Sequence, residues 1–221
     1  MDLAYIQSIL PALLQGTVQT LKIFFFTLIF ALPLGLPISF GTMSRFWPVK
    51  SLSKIYVWVF RGTPLMLQIF FFFYCLPVFT GLKLDRETTA IVTFVLNYAA
   101  YFAEIYRGGI QSIDRGQREA AKSLGFSSWQ TMRMVVIPQA FRRVLPPIGN
   151  EVITLIKDTA LVYVIGVPEL LKAAKDANNR DVNPISYFIA ALIYLALTFL
   201  LTFISQRLEK RLSRHERKDA V

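Results

Sequence analysis

The chain has 221 residues, of which 54% are hydrophobic and 14% aromatic, and it carries a formal net charge of +10 at pH 7. This apolar content exceeds that of an ordinary soluble domain, so the composition indicates an integral membrane protein. The one cysteine, Cys75, excludes an intrachain disulfide and a multi-cysteine metal site. The one histidine, His215, is predicted to be a solvated side chain in a charged tail.

The sequence contains no motif for catalysis or for nucleotide binding. A phosphate-binding loop of the form GxxxxGK[ST] is absent, and so is a nucleophile elbow. We therefore predict no catalytic residue, no metal site and no cofactor bound by this chain. Any energy source must be supplied by another protein.

Five apolar segments are predicted to cross the bilayer as helices. In chain order they cover about 14–43, 57–81, 87–108, 143–167 and 183–207. The fourth is interrupted by Glu151, Lys157 and Asp158, and it is counted as a span because its neighbours need the chain to cross back. No cleavable signal peptide is expected, since the N-terminus lacks a basic start. The predicted fold class is an all-α membrane protein in which residues 1–221 form one transmembrane domain.

Basic residues concentrate in alternate loops, which sets the orientation by the positive-inside rule. They are Arg45, Lys50, Lys54 and Arg61, then Arg107, Arg115, Arg118, Lys122, Arg133, Arg142 and Arg143, and in the tail Arg207, Lys210, Arg211, Arg214, Arg217 and Lys218. In the other loops acidic residues offset most of the basic charge. The N-terminus is therefore predicted to lie outside and the C-terminus in the cytoplasm. Because topology and anionic lipid account for the net charge, no nucleic-acid partner is expected.

The segment 114–138 is predicted to form two short cytoplasmic helices. Asp114 followed by Gln117 resembles a capping box, and Gly125 is suited to a left-handed C-terminal cap. A second helix starts at Ser127, and Pro138 should stop or kink it.

Small residues in the first of these helices favour a docking surface. Ala120 and Ala121 remove bulk, so another protein could approach closely, while Glu119 could pair with a charge on that partner. An amphipathic helix lying on lipid headgroups has a similar composition. Residue spacing alone does not separate these two interpretations.

The same segment resembles the EAA loop found in membrane subunits of binding-protein-dependent ABC importers. Glu119, Ala120 and Ala121 are followed after three residues by Gly125 and after nine more by Val-Val-Ile-Pro at 135–138, where the family pattern ends in I-x-L-P. Three further segments resemble the polar amino acid permeases of this family: RGTPLMLQ at 61–68, AAYFAEIYRGGIQSI at 99–113 and LPPIGNEVITLIKDTALVYVIGVPELL at 145–171.

The resemblance implies a type I ABC importer permease fold. Such a subunit pairs with a second permease, identical or related, around a central pathway in the bacterial cytoplasmic membrane. The loop 114–138 would form a coupling helix that sits on a dimeric cytoplasmic ABC ATPase, which binds ATP and Mg²⁺. Energy transfer would pass through Glu119, Ala120, Ala121 and Gly125. An extracytoplasmic amino-acid-binding protein would deliver the substrate, and the permease itself would not be an enzyme.

Charged residues within the fourth span indicate either an ion pair with another helix or a water-filled cavity. Glu151 and Asp158 are seven residues apart and so share one helical face, whereas Lys157 points about 100° away from Asp158. In a substrate pocket the carboxylates would hold a cationic group, and Lys157 or a helix N-terminus would meet the α-carboxylate. This predicts a basic amino acid, namely arginine, lysine or histidine, with glutamine, glutamate or another polar amino acid as the alternative.

Other polar residues are weaker candidates for the pathway. On the third span Asn97, Tyr101 and Glu104 form a polar stripe, which suits either pathway lining or hydrogen bonds between helices. Gln68, one turn after Pro64, has the same two interpretations. An ion-coupled secondary transporter would use the same intramembrane acids, and a purely structural membrane subunit would have no pocket.

Overall fold

A computed structural model describes residues 3–213, and in this range every regular element is helical, with no β-strand. The α-helices are α1 (Leu3–Thr42), α2 (Trp47–Gly62), α3 (Leu65–Phe70), α4 (Leu76–Thr80), α5 (Arg86–Gln111), α6 (Arg115–Ser123), α7 (Ser128–Thr131), α8 (Ile137–Asp158), α9 (Leu170–Asp181) and α10 (Ile185–Ser213). Two segments are π-helical, Phe71–Cys75 and Met132–Val136, and Thr159–Ile165 is a 3₁₀ helix. The tail residues Arg214, His215, Arg217 and Lys218 lie outside the described residues.

Three helices are long and apolar enough to cross a bilayer, namely α1, α5 and α10. A fourth crossing is available if α2 and the helical run from Leu65 to Thr80 act together, although they meet at an angle of 107°. The predicted span 57–81 is therefore a sharply broken segment and not a straight helix. The predicted span 143–167 corresponds to α8 and the 3₁₀ helix, and its charged residues keep it less apolar than the others. The five-span count and the orientation remain predictions.

The helix α5 lies at the centre of the bundle and packs along α1, while also contacting α2, α3 and α8. Its inner face buries Phe94, Tyr98 and Phe102 almost completely. The approach of α1 is so close that a Cβ atom added to Gly35 would lie 2.9 Å from the Cβ of Phe102. Because lipid chains are as apolar as these side chains, such helix pairs are held mainly by close packing, which the missing Cβ permits.

Each π-helical segment directly precedes an α-helix whose second residue is proline. Pro77 follows the segment Phe71–Cys75, and Pro138 follows Met132–Val136. Proline removes one backbone donor and its ring clashes with a carbonyl in the preceding turn, and the wider π turn accommodates both. Pro138 therefore does not stop the second helix, which was one of the two predicted outcomes, and the helix continues through a π-helical distortion. The chain passes from α7 into α8 as an almost uninterrupted helix.

The helix α9, between the predicted spans, is capped by the buried side chain of Glu169. This carboxylate accepts the backbone N–H of Leu171 at 2.7 Å and of Lys172 at 2.6 Å, and the hydroxyl of Tyr194 donates to it at 2.8 Å. Burial raises the pKa of Glu169 to about 7 against the opposing effect of these hydrogen bonds. The acid thus joins α9 to α10.

Candidate substrate cavity and coupling surface

The break between α2 and α3 is fixed by side chains that replace a missing backbone donor. Pro64 has no N–H, so the carbonyl of Phe60 lacks the partner that a continuous helix would supply. The side-chain amides of Gln68 and Asn97 donate to this oxygen at 2.8 and 3.1 Å. Asn97 also donates to Gln68 Oε1 at 2.9 Å. These bonds hold the end of α2 against α5.

A cavity of 450 Å³ lies beside this break, between the end of α2, α5 and α8. It is lined by Arg61, Gly62, Thr63, Pro64, Leu65, Asn97, Tyr98, Tyr101, Glu151, Thr154 and Asp158. The volume suits a small organic molecule. We refer to this space as the substrate cavity. Four residues predicted from the sequence to bind substrate meet here: Asn97, Tyr101, Glu151 and Asp158.

The two carboxylates of the substrate cavity differ in their hydrogen bonds. Asp158 Oδ2 accepts the hydroxyl of Tyr98 at 2.8 Å, which ties α8 to α5. Glu151 is only partly buried, and no hydrogen bond to its carboxylate is found from any residue in 3–213. A carboxylate within a membrane domain is costly unless water or a cation meets it. Glu151 is therefore the better placed of the two to bind a cationic group.

Arg61, at the end of α2, brings positive charge to the same cavity. Its guanidinium lies over the ring of Tyr101, 5.3 Å from the centroid, and its Nη1 is 3.8 Å from Glu104 Oε1, too far for a hydrogen bond. Glu104 is bonded instead by Arg107, whose Nε donates at 2.9 Å and whose Nη2 donates to the other carboxylate oxygen. Arg107 Nη1 donates to Gln111 at 2.5 Å. Most N–H groups of Arg107 therefore donate hydrogen bonds. The N–H groups of Arg61 have no hydrogen-bond acceptor among the described residues.

Two residues predicted to bind substrate do not line the substrate cavity. Lys157 is exposed on a different face of α8 from Asp158, as the helical geometry predicts. The amide of Gln68 is buried at the break and its hydrogen bonds are used there. A role for either in binding rests on the sequence alone.

Among the lining residues that were missing from the predicted site, Arg61 brings the positive charge and Tyr98 donates to Asp158. Arg61 appeared in the sequence only as one of several loop charges, because the cavity that it lines together with Glu151 brings together positions 90 residues apart. Tyr98 follows Asn97 and lies beside the predicted polar stripe of α5, so a wider stripe would have included it.

A larger cavity of 1010 Å³ adjoins the substrate cavity and shares Arg61 and Gly62 with it. We call it the vestibule. Its charged lining residues are Lys50, Lys54, Arg61, Arg107 and Arg118 with the single carboxylate of Glu104. The vestibule is therefore strongly positive, and Arg118 places it at the end of the molecule that carries α6.

The predicted coupling loop forms α6 and α7, which are joined by a turn at Gly125. Asp114 caps α6 by accepting the N–H of Gly116 at 2.8 Å, so the predicted capping box with Gln117 is only half correct. Gly125 has φ of +82°, the left-handed conformation predicted for a C-terminal cap. The structure thus has a helix, Arg115–Ser123, where the sequence predicts the first of the two.

The predicted coupling residues differ in exposure. Glu119, Ala120 and Gly125 are exposed, whereas Ala121 is only 4% exposed and packs within the protein. Only three of the four are thus available to a partner in the isolated chain. Ala121 contributes by keeping α6 close to the rest of the loop.

Apolar side chains extend this exposed surface onto α7. A capping box between Ser127 and Gln130 begins α7 as predicted. Around it Leu124 is 77% and Trp129 67% exposed. Large apolar groups on a segment that lies between the predicted spans are typical of a protein interface. We call the exposed residues Glu119, Ala120, Leu124, Gly125 and Trp129 the coupling surface.

Comparisons with known proteins agree with this architecture. Residues 31–214 match the family described as binding-protein-dependent transport system inner membrane component. The glutamine transport system permease protein GlnP of Escherichia coli (strain K12) is 39% identical over 213 residues, covering 96% of this chain and 97% of that protein. The arginine transport system permease protein ArtQ of Bacillus subtilis (strain 168) is 40% identical over 208 residues, covering 94% and 95%. The L-cystine transport system permease protein TcyB of the same organism is 38% identical over 214 residues, covering 96% and 91%.

Solved structures show the same relationship. A crystal structure of an amino acid ABC transporter with histidines superposes with a TM-score of 0.90 and 35% identity, covering 96% of this chain and 99% of that chain. An inward-facing structure of the MetNI methionine ABC transporter superposes with a TM-score of 0.73 at 18% identity, covering 97% and 100%, which shows the shared fold alone. These matches do not support the ion-coupled secondary transporter. The chain belongs to the family of binding-protein-dependent transport system inner membrane components, among the amino acid ABC transporter permeases.

Proposed function

We propose that this chain forms the translocation pathway and substrate site of an ATP-driven importer for a basic amino acid. The observation that carries the proposal is the charge of the substrate cavity. Two carboxylates, Glu151 and Asp158, face one guanidinium, that of Arg61, which leaves one net negative charge. An amino acid with a net charge of +1, such as arginine or lysine, complements it.

The carboxylate of Glu151 favours a cation over a neutral molecule in the substrate cavity. A unit charge 4 Å from an unpaired carboxylate gains about 4 kcal/mol at an effective dielectric constant of about 20. The free carboxylate of Glu151 offers this interaction to a cationic side chain. A neutral side chain leaves that carboxylate to water.

Glutamine is the second candidate, and a specific contact favours it. If the Tyr98–Asp158 hydrogen bond satisfies Asp158, then Glu151 and Arg61 form a balanced pair that fits a neutral zwitterion. The similar proteins named above transport glutamine, arginine or cystine, so similarity does not choose among these substrates.

The coupling surface supports an ATPase partner. We propose that it docks on a cytoplasmic ABC ATPase dimer, which supplies ATP and Mg²⁺, in a bacterial cytoplasmic membrane with the N-terminus outside. Closure of the ATPases would draw the coupling helices of two permease subunits together and switch the bundle from inward-facing to outward-facing, and hydrolysis would reset it. An extracytoplasmic binding protein would deliver the amino acid.

The test is uptake by the permease purified with its co-expressed ATPase and reconstituted in liposomes with the binding protein. Labelled arginine, lysine, histidine, glutamine and glutamate are compared. We expect Glu151→Gln to lower arginine uptake by about 10-fold or more, because the charge that meets the cationic group is removed. Glutamine uptake should change less.

Lys157→Gln is the matched control, because it changes one charge on the same helix outside the substrate cavity. It should leave the arginine-to-glutamine ratio unchanged. Normal arginine uptake by Glu151→Gln would contradict the proposed site. Subunit stoichiometry of the same preparation shows whether the second permease is a copy of this chain or a related one.

A further inference from the structure

We infer that Arg61 binds the α-carboxylate of the transported amino acid and thereby makes the permease select amino acids over the corresponding amines. The inference rests on the proposed function, because it assigns the second half of the same substrate. It names a residue in the last turn of α2, far from the acids of α8 in sequence.

The charges of the substrate cavity are separated in the way that a zwitterion requires. An α-amino acid carries an ammonium and a carboxylate on one carbon, so its site needs an anion and a cation on facing walls. Glu151 and Asp158 supply the anionic wall from α8, and Arg61 supplies the only cationic side chain among the cavity's lining residues. Arginine is well suited to the task, since its planar fork binds a carboxylate through two hydrogen bonds.

The guanidinium of Arg61 is available for such a contact. Its nearest carboxylate, that of Glu104, is 3.8 Å away and is already held by Arg107. The centroid of the Tyr101 ring lies 5.3 Å from the guanidinium carbon, and this cation–π contact holds the guanidinium without using its N–H donors. Arg61 is therefore oriented while its donors stay unfilled.

The backbone that carries Arg61 is also held in place. The neighbouring carbonyl of Phe60 accepts two side-chain amides, from Gln68 and Asn97, at the break in the helix. Lys157, the residue that the sequence suggested for the α-carboxylate, is exposed and does not line the cavity. The geometry thus assigns to Arg61 the role that the sequence analysis gave to Lys157 or a helix N-terminus.

The test compares arginine with agmatine, which has the same guanidinium and lacks only the carboxylate. Competition against labelled arginine is measured on the purified permease–ATPase complex. The wild type should bind arginine about 10- to 100-fold more tightly than agmatine, the range expected for a charge-assisted hydrogen bond to a carboxylate. Arg61→Gln should bring the two affinities together by weakening arginine binding, with agmatine binding little changed. If glutamine is the amino acid bound, glutamine and 4-aminobutanamide form the equivalent pair.

Lys54→Gln is the control, because it removes an exposed cation that lines the vestibule but not the substrate cavity, and it should preserve the arginine-to-agmatine ratio. An unchanged ratio in Arg61→Gln would overturn the inference and leave the proposed function intact. If the wild-type complex binds no amino acid, the proposed function itself fails. If Arg61→Gln does not assemble, Arg61→Lys is measured instead. An ammonium cannot reproduce the two-pronged contact, so the ratio should fall several-fold, and an unchanged ratio would again overturn the inference.

Discussion

The buried acid Glu169 joins two helices, and its titration makes the stability of this contact depend on pH. Its side chain is fully buried and accepts three hydrogen bonds, from two backbone N–H groups of α9 and from Tyr194 of α10. The hydrogen bonds favour the charged form, while burial disfavours it more strongly, and its pKa is raised to about 7. Protonation near neutral pH therefore strengthens this end of the bundle.

The direction of the pH effect follows from the raised pKa of Glu169. The group binds its proton more tightly when folded than when unfolded, where its pKa is about 4.3. Its stabilising contribution is complete below about pH 4.3 and is lost as the pH rises through 7, by about 4 kcal/mol in total. Thermal denaturation of the purified complex should show this loss between pH 5 and pH 8. Glu169→Gln should flatten the profile in this window, whereas Asp176→Asn, an exposed acid on the same helix, should not.

At the scale of the elements, the broken helix α2–α3 depends on a network that compensates for one proline. Gln68 and Asn97 share the carbonyl of Phe60 and also bond each other. Each substitution to leucine should lower stability by about 1–3 kcal/mol, since it removes a hydrogen bond from a buried acceptor.

The two losses should not add, because the residues belong to one network. The Gln68→Leu, Asn97→Leu double variant should be less destabilised than the sum of the single variants, and a thermal-denaturation cycle measures the difference. Simple additivity would show that the two amides act independently. Leu67→Gln, at an exposed neighbouring position, controls for a change of polarity on α3.

Hydropathy and helix caps predicted the long elements well. The helices α1, α5 and α10 were predicted from apolar runs that are long enough to cross a bilayer. The left-handed cap at Gly125 and the capping box at Ser127 were predicted from the residue types at these positions. The 107° break could not be predicted, because Pro64 lies in a segment whose composition suits a continuous span. Pro138 was expected to stop or kink the helix, and the π turn through which the helix continues has no marker in the sequence.

The candidate site was predictable only where it depends on one helix. Spacing along α8 placed Glu151 and Asp158 on one face and Lys157 elsewhere, and the substrate cavity agrees with this arrangement. The opposite wall comes from the end of α2. Which of the many basic loop residues reaches it depends on tertiary packing, so Arg61 could be recognised only in the folded chain.

At the scale of the whole molecule, Trp129 of the coupling surface and the carboxylates of the substrate cavity lie on one nearly continuous helical path. The chain runs from α7, which carries Trp129, through the π-helical segment into α8, which carries Glu151 and Asp158. A displacement of α7 can therefore reach Glu151 and Asp158 without crossing a loop. This suits the proposed transfer of energy from an ATPase.

Gly125→Glu tests this transfer. The variant adds bulk and charge to the coupling surface and strains a left-handed residue by about 1–2 kcal/mol. Uptake should be lost while the membrane helices remain inserted and the ATPase continues to hydrolyse ATP without stimulation by substrate. Gly81→Glu is the control, because Gly81 follows α4 with φ of +72° but lies outside the coupling loop. A Cβ atom added at Gly81 would have no neighbour within 4 Å. Normal uptake by Gly125→Glu would remove the coupling role from this turn.

The positive lining of the vestibule bears on the direction of transport. On the proposed orientation the vestibule opens to the cytoplasm, where five cationic side chains and one carboxylate repel cations. Arginine already in the cytoplasm would therefore rarely enter an inward-open subunit. The lining would therefore act as an electrostatic barrier to back-flux for basic amino acids. It would weaken as the ionic strength rises and would have little effect on glutamine.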